Sequence, residues 1–263
     1  MENRIDRSFE ALRARDEKAF IAYICAGDPT LAKTVDLALA LEKAGTDILE
    51  LGVPFSDPLA DGLVNQLAAQ RALEAGATVP GVLDCVRQIR RQSQMPIVLY
   101  TYMNPIFQFG FDRFHRAASE VGVDGLLILD LPPEEDLPMA EDGPFHIRLV
   151  APTTPPERVQ RICSRAAGFI YYVSREGVTG VQTRVASSLA ARVAEIRNWT
   201  RLPIAVGFGI STAEQAREVA QVADAIVVGS AIVQKISENA SNPDMPARIG
   251  EFVASLVAGA IGR

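Results

Sequence analysis

The chain has 263 residues, 48% hydrophobic and 22% charged, which is enough apolar material for a large soluble core. A net charge of −6 without a dense Lys/Arg stripe argues against nucleic acid or an anionic membrane as partner. Cys25, Cys85 and Cys163 are odd in number, far apart and form no CxxC, so neither a disulfide framework nor a structural zinc site is expected, and a reducing cytoplasmic setting fits.

The first segment, MENRIDRSFEALRARDEKAF, is charged and amphipathic without the apolar stretch of a secretion signal, and predicts a helix. No later run approaches the roughly 18 apolar residues of a membrane span. Strands are predicted at 19–26, 47–52, 96–102, 124–130, 146–152, 168–174, 203–208 and 224–230. Helical periodicity falls between them, most clearly at 31–45, 111–122, 157–168 and 212–223. These strands are apolar nearly throughout, as parallel strands buried on both faces must be. The alternation predicts a (β/α)8 TIM barrel with an extra N-terminal helix, one domain over residues 1–263. A doubly wound open sheet is the alternative, since alternation alone does not reveal closure. The cluster Arg87, Arg90 and Arg91 reads as a solvated helix face. Residues 237–246 read as a surface loop before a final helix.

Barrels of this kind collect their chemistry at the C-terminal ends of the strands. That rule selects Cys25 and Asp28, Glu50 through Asp61, Tyr102 and Asn104, Asp130, Thr153 and Thr154, and Ser174 through Thr183. It also selects two glycine-rich strand ends, GFGIS (207–211) and VGSAI (228–232), which run straight into helices. Glycines let backbone N–H groups approach an anion, and a helix N-terminus adds a favourable dipole, so the pair is expected to bind phosphate. The long connection 174–184 contains Gly177, Thr179 and Gly180 and reads as a lid, or else as a mobile insertion.

The acids stand out in ELGVPFSDPLADG, residues 50–62. Strand alternation puts Ile48 and Glu50 on one face and Leu49 and Leu51 on the other. With the leucines against the helices, Glu50 points into the barrel mouth, where burial would raise its pKa into the range useful for proton transfer. The competing reading is a structural ion pair with an arginine. Asp61 ends a loop stiffened by Pro54 and Pro58 and is a second acid placed to act on another part of one substrate, or else an ordinary turn residue. Asp57 caps a turn or faces a partner. None of the four lysines falls at a strand's C-terminal end, so a Schiff-base aldolase is not expected. His115 and His146 map to a helix and to the start of a strand, and no metal site is expected.

These motifs, with YICAGDP (23–29), GVDGLLILDLPPEE (122–135), LVAPTTPPER (149–158) and YYVSREGVTG (171–180), resemble in order the tryptophan synthase alpha subunit family. The resemblance implies cleavage of indole-3-glycerol phosphate to indole and glyceraldehyde 3-phosphate, with no cofactor in this subunit. It assigns Glu50 as the acid–base group and Asp61 to the indole N–H. Tyr23, Leu127, Tyr171, Ile210 and Val227 would line the pocket, with Thr179 reaching Asp61 from the lid. Gly180, Phe208, Gly209, Gly229 and Ser230 would cradle the phosphate. It further implies an alpha2beta2 complex with a beta subunit carrying pyridoxal phosphate, met through Pro54, Ser56, Asp57, Asn104, Pro105 and Phe107. The chain departs from the family at Leu63, Asn65 and Tyr100, and at Cys25 where Thr is usual. Asn65 and Tyr100 are expected beside the indole ring, bonded to each other or to water. A non-catalytic or altered-substrate paralogue is the competing expectation.

Overall fold

The computed structural model describes residues 3–135, 143–174, 182–207 and 209–261, with the side chains of 182–187 outside that description. Eight strands pair in sequence order and close: β1 (Ala19–Cys25), β2 (Ile48–Gly52), β3 (Ile97–Thr101), β4 (Gly125–Ile128), β5 (Phe145–Val150), β6 (Ile170–Val173), β7 (Ile204–Gly207) and β8 (Ala225–Val228). All ladders are parallel, and β8 returns to β1 with Ile21 opposite Val227. The predicted barrel is therefore present, and the open sheet is not. Most predicted strands overrun the observed ones by one or two residues at an end, whereas β5 begins one residue earlier than predicted, at Phe145.

Side chains alternate between two apolar layers. Leu49, Leu51, Ile97 and Leu99 face outward into the layer shared with the helices. Ile21, Ile48, Val98, Leu127, Ile147 and Val227 face inward. The first helix, α1 (Arg4–Ala14), is amphipathic for a reason: Ile5, Phe9 and Leu12 join the inner cluster and close the barrel at the strands' N-terminal end. It is capped by Asn3, whose side chain accepts from Ile5 N.

Asp124, just before β4, gathers that closed end together. Its carboxylate accepts from Ile97 N at 2.8 Å and pairs with Arg4 and Arg90 at 2.9 and 2.5 Å. Asp47 and Asp224, also one residue ahead of a strand, accept from Phe20 N and Ile204 N in the same way. Arg90 thus corrects the expectation of a solvated basic face. Only 9% of its side chain is exposed, and it donates to Gly122 O and Met95 O as well. Burial lowers its pKa to about 10 against the pull of Asp124.

On the outside run α2 (Leu31–Lys43), α3 (Leu63–Glu74), α4 (Val79–Arg90), α5 (Met103–Phe109), α6 (Phe111–Val121), α7 (Pro156–Arg165), α8 (Gln182–Arg197), α9 (Ala213–Ala220), α10 (Ser230–Glu238) and α11 (Met245–Ile261). The predicted loop 237–246 shrinks to the residues between α10 and α11. α11 packs on α2 and α9 and buries Ile249, Val253, Leu256 and Val257. Among the described residues no helix is long and apolar enough to cross a membrane.

Candidate active site

Glu50 sits on β2 with Tyr23 of β1 and Val98 of β3 as its register neighbours. It is 1% exposed, and its Oε1 has no hydrogen-bond partner among the described residues. An unpaired carboxylate in such a place is costly, so the group resists ionisation: burial alone raises its pKa from 4.5 to about 8. The inward placement agrees with strand alternation. The alternative of an arginine ion pair is not seen among the described residues.

Two tyrosines stand around Glu50. Tyr171 on β6 has its hydroxyl where a Cβ on Gly207 would lie, 2.6 Å away, so a glycine there is a spatial requirement. Burial first, then the charges of Glu50 and Asp61, keep the Tyr171 phenol protonated. Tyr23 similarly occupies the space over Gly52, its hydroxyl 2.5 Å from where a side chain there would begin. Its pKa is raised by burial first, with Cys25, Asp61 and Glu50 adding to the effect.

Asp61 is held by phenols. Tyr102 Oη accepts from Ala60 N at 3.0 Å and donates to Asp61 Oδ2 at 2.7 Å. Tyr100 Oη donates to Asp61 Oδ1 at 2.8 Å, and Asn65 Nδ2 lies 3.5 Å from the same oxygen. Asn65 and Tyr100 converge on Asp61 rather than on each other. Their residue types were visible in the sequence, but the fold of the 53–62 loop over the barrel mouth was not. Tyr102 was selected only as a strand-end residue, and nothing in the sequence pointed it at Asp61. Asp28 and Cys25, also strand-end candidates, belong to the scaffold. Asp28 takes a two-pronged bond from Arg71 of α3 at 2.9 and 2.7 Å. Cys25 is buried with a raised pKa, chiefly from desolvation, and is not a thiolate. Asp130 Oδ1 accepts from Met103 N at the start of α5, tying the loop after β4 to that helix, and Thr154 Oγ1 accepts from Ala151 N within its own turn.

Leu127 and Val227 lie in the inner apolar cluster of the barrel. Ile210, just past β7, is buried in the cluster that the barrel shares with its helices. The two glycine-rich helix starts differ. At α9, Thr212 and Gln215 form a capping box, and Gln215 Oε1 also accepts from Ser211 N, so these N–H groups are already satisfied. At α10 the N-cap is Gly229, with no side-chain cap, and Ser230 opens the helix. Its first N–H groups are the ones left for an anion. Gly209 has φ +75 with open space where a Cβ would be. Phe208 and residues 175–181 of the predicted lid, Thr179 and Gly180 among them, lie outside the described residues, while 182–184 open α8.

Of the six residues expected to meet a partner, Ser56, Asp57, Asn104 and Phe107 are exposed. Pro54 and Pro105 are buried, which corrects their place at a surface; they shape the loops that carry the others. Leu59 at 92% and Leu63 at 69% exposure stand on the same loop and at the start of α3, and sequence reasoning gave neither a partner role. Exposed leucines are unremarkable singly; Phe107, at 69% exposure, is the large exposed apolar side chain among the six residues expected to meet a partner.

A closed parallel barrel with a neutral buried carboxyl and a second acid at its C-terminal mouth defines an enzyme of the acid–base (β/α)8 class. The sequence profile described as tryptophan synthase alpha chain matches residues 9–257. The chain belongs to the tryptophan synthase alpha chain family. It is 54% identical over 262 residues to the tryptophan synthase alpha chain of Opitutus terrae, covering 98% of each chain. It is 49% identical to that of Geobacter sp. strain M21, again over 98% of each. The crystal structure of tryptophan synthase subunit alpha from Legionella pneumophila superposes with a TM-score of 0.89 at 39% identity, covering 99% of both chains.

Proposed function

We infer that the chain is the carbon–carbon lyase of the alpha reaction of tryptophan biosynthesis, cleaving indole-3-glycerol phosphate to indole and glyceraldehyde 3-phosphate. The observation that carries this reading is the pairing of a buried, neutral Glu50 with an anchored Asp61 at one barrel mouth. Protonated near neutral pH, Glu50 gives its proton to ring carbon C3, which turns the indole into an iminium-like electron sink. Asp61 accepts the ring N–H and stabilises the positive charge developing there. The carboxylate left on Glu50 then takes the proton of the glycerol hydroxyl next to the scissile bond. The C–C electrons flow back into the ring, so indole leaves and the hydroxyl carbon becomes the aldehyde. The substrate supplies its own electron sink, so these steps call for no cofactor in this chain.

The uncapped start of α10 at Gly229 and Ser230, with Gly209, would hold the phosphate, and Tyr171, Leu127 and Val227 would pack the ring and glycerol. The chain would work with a beta subunit, in an alpha2beta2 complex whose pyridoxal phosphate resides in that partner. Ser56, Asp57, Leu59, Leu63, Asn104 and Phe107 are the exposed residues that would meet it, and the cytoplasm is the setting for such an assembly. The test is indole release from indole-3-glycerol phosphate by the purified chain, alone and with a beta subunit. Indole in both, faster with the partner, is expected; none in either would end the reading.

A further inference from the structure

We propose that Tyr100 is a positioning residue for this reaction: its hydroxyl, together with that of Tyr102, fixes the Asp61 carboxylate as the acceptor that meets the ring N–H. The proposal rests on the reading above and gives Tyr100, expected only beside the ring, a task of its own.

Asp61 is only half-buried and belongs to an irregular loop, which is a poor platform for a charge that must meet one proton in one direction. The two phenols supply what the loop lacks. Tyr102 Oη already accepts from Ala60 N, so its own proton goes to Asp61 Oδ2. Tyr100 Oη donates to the other oxygen, so the carboxylate is gripped at both ends and its rotation is blocked. Asn65 Nδ2 stands 3.5 Å from Oδ1 as a second donor, so the acceptor left for the substrate is the remaining lone pair of Oδ2.

Tyr100 is itself anchored in a strand. It projects inward from β3, between Gly52 of β2 and Leu127 of β4 in register. The Tyr100 and Tyr23 rings pack edge to face with centroids 4.9 Å apart and planes at 65°. Tyr23 in turn fills the space that the missing side chain of Gly52 leaves. The line Gly52, Tyr23, Tyr100, Asp61 transfers the rigidity of the barrel to the loop acid. Burial and the neighbouring carboxylate keep the Tyr100 phenol protonated, which is the state that donates.

Tyr100→Phe keeps the ring and removes only the donor. We expect kcat for indole release to fall about tenfold, the size of one lost hydrogen bond to a charged acceptor, with KM changed less than about twofold. In an Asp61→Asn background, measured by single turnover with enzyme in excess, the same change should cost less than about twofold, because the group it acts through is gone. Unchanged kcat, a loss confined to KM, or an equal loss in both backgrounds would overturn the proposal. Wild-type chain without indole release would instead fail the functional reading itself, so the two failures are told apart.

Discussion

Replacing Glu50 with Gln should stabilise the protein, and increasingly so as pH rises. The acid is buried with one oxygen unpartnered among the described residues, and burial raises its pKa from 4.5 to about 8. Between those values the native state holds a proton that the unfolded chain has released. The stability associated with the neutral acid is therefore complete below pH 4.5 and lost progressively as pH climbs toward 8. The gap corresponds to about 5 kcal/mol over the whole window and about 2 to 3 kcal/mol between pH 5 and 7, as upper figures. Gln has nearly the same shape and no such titration. Urea unfolding of both proteins at pH 5, 6, 7 and 8 measures the difference directly. The Gln variant should gain on the wild type at each step and then level off. Parallel stability curves would refute the argument that burial tunes Glu50. The same titration should appear in wild-type kcat/KM as a decline above about pH 8, when the proton donor for C3 is lost.

Other predictions concern the acids, the scaffold and the partner face. Asp61→Asn should lower the rate of the chain alone by at least about a hundredfold, the scale for losing a charge-stabilising group, whereas Asp57→Asn should leave it within about twofold; equal losses would undo the separation of roles. Gly207→Ala would put a methyl 2.6 Å from Tyr171 Oη and 2.9 Å from Val227 Cβ. It should cost about 1–3 kcal/mol in thermal or urea unfolding and reduce kcat, and a silent substitution would contradict the packing described. His146 is buried beside Arg148 and His115, and desolvation first, then those neighbours, lowers its pKa from 6.5 to about 4. The native state refuses a proton that the unfolded chain accepts, so stability is full above pH 6.5 and falls toward pH 4, by up to about 3 kcal/mol. His146→Phe should flatten that acid limb, measured by unfolding from pH 7 to 4. Phe107→Asp should leave the isolated chain's rate unchanged and weaken the response to a beta subunit at least about tenfold in the concentration needed.

What was legible in the sequence followed from periodicity. The eight strands announced themselves because parallel strands are apolar on both faces, and Glu50 was conspicuous because one charge interrupted such a run. Alternation then gave its direction correctly. What depended on loops was not legible. Asn65 sits on α3 and Tyr100 on β3, and only the path of residues 53–62 brings them both to Asp61. Arg90 misled for a related reason: its neighbours Arg87 and Arg91 are on the surface, but one helical position turns it toward Asp124 at the base of the barrel. Periodicity also places GFGIS and VGSAI alike, and it takes the capping box of Thr212 and Gln215 to separate them.

The central claim is that Glu50 performs the proton transfers at a mouth that Asp61 and a phosphate site complete. The most direct measurement compares wild type and Glu50→Gln for the formation of indole and glyceraldehyde 3-phosphate from indole-3-glycerol phosphate, with binding of glycerol 3-phosphate followed in parallel. The account predicts equal amounts of both products from the wild type, at least about a thousandfold less from the variant, and glycerol 3-phosphate affinity within about threefold. Substantial turnover by Glu50→Gln, or loss of its phosphate-ligand binding along with activity, would contradict it.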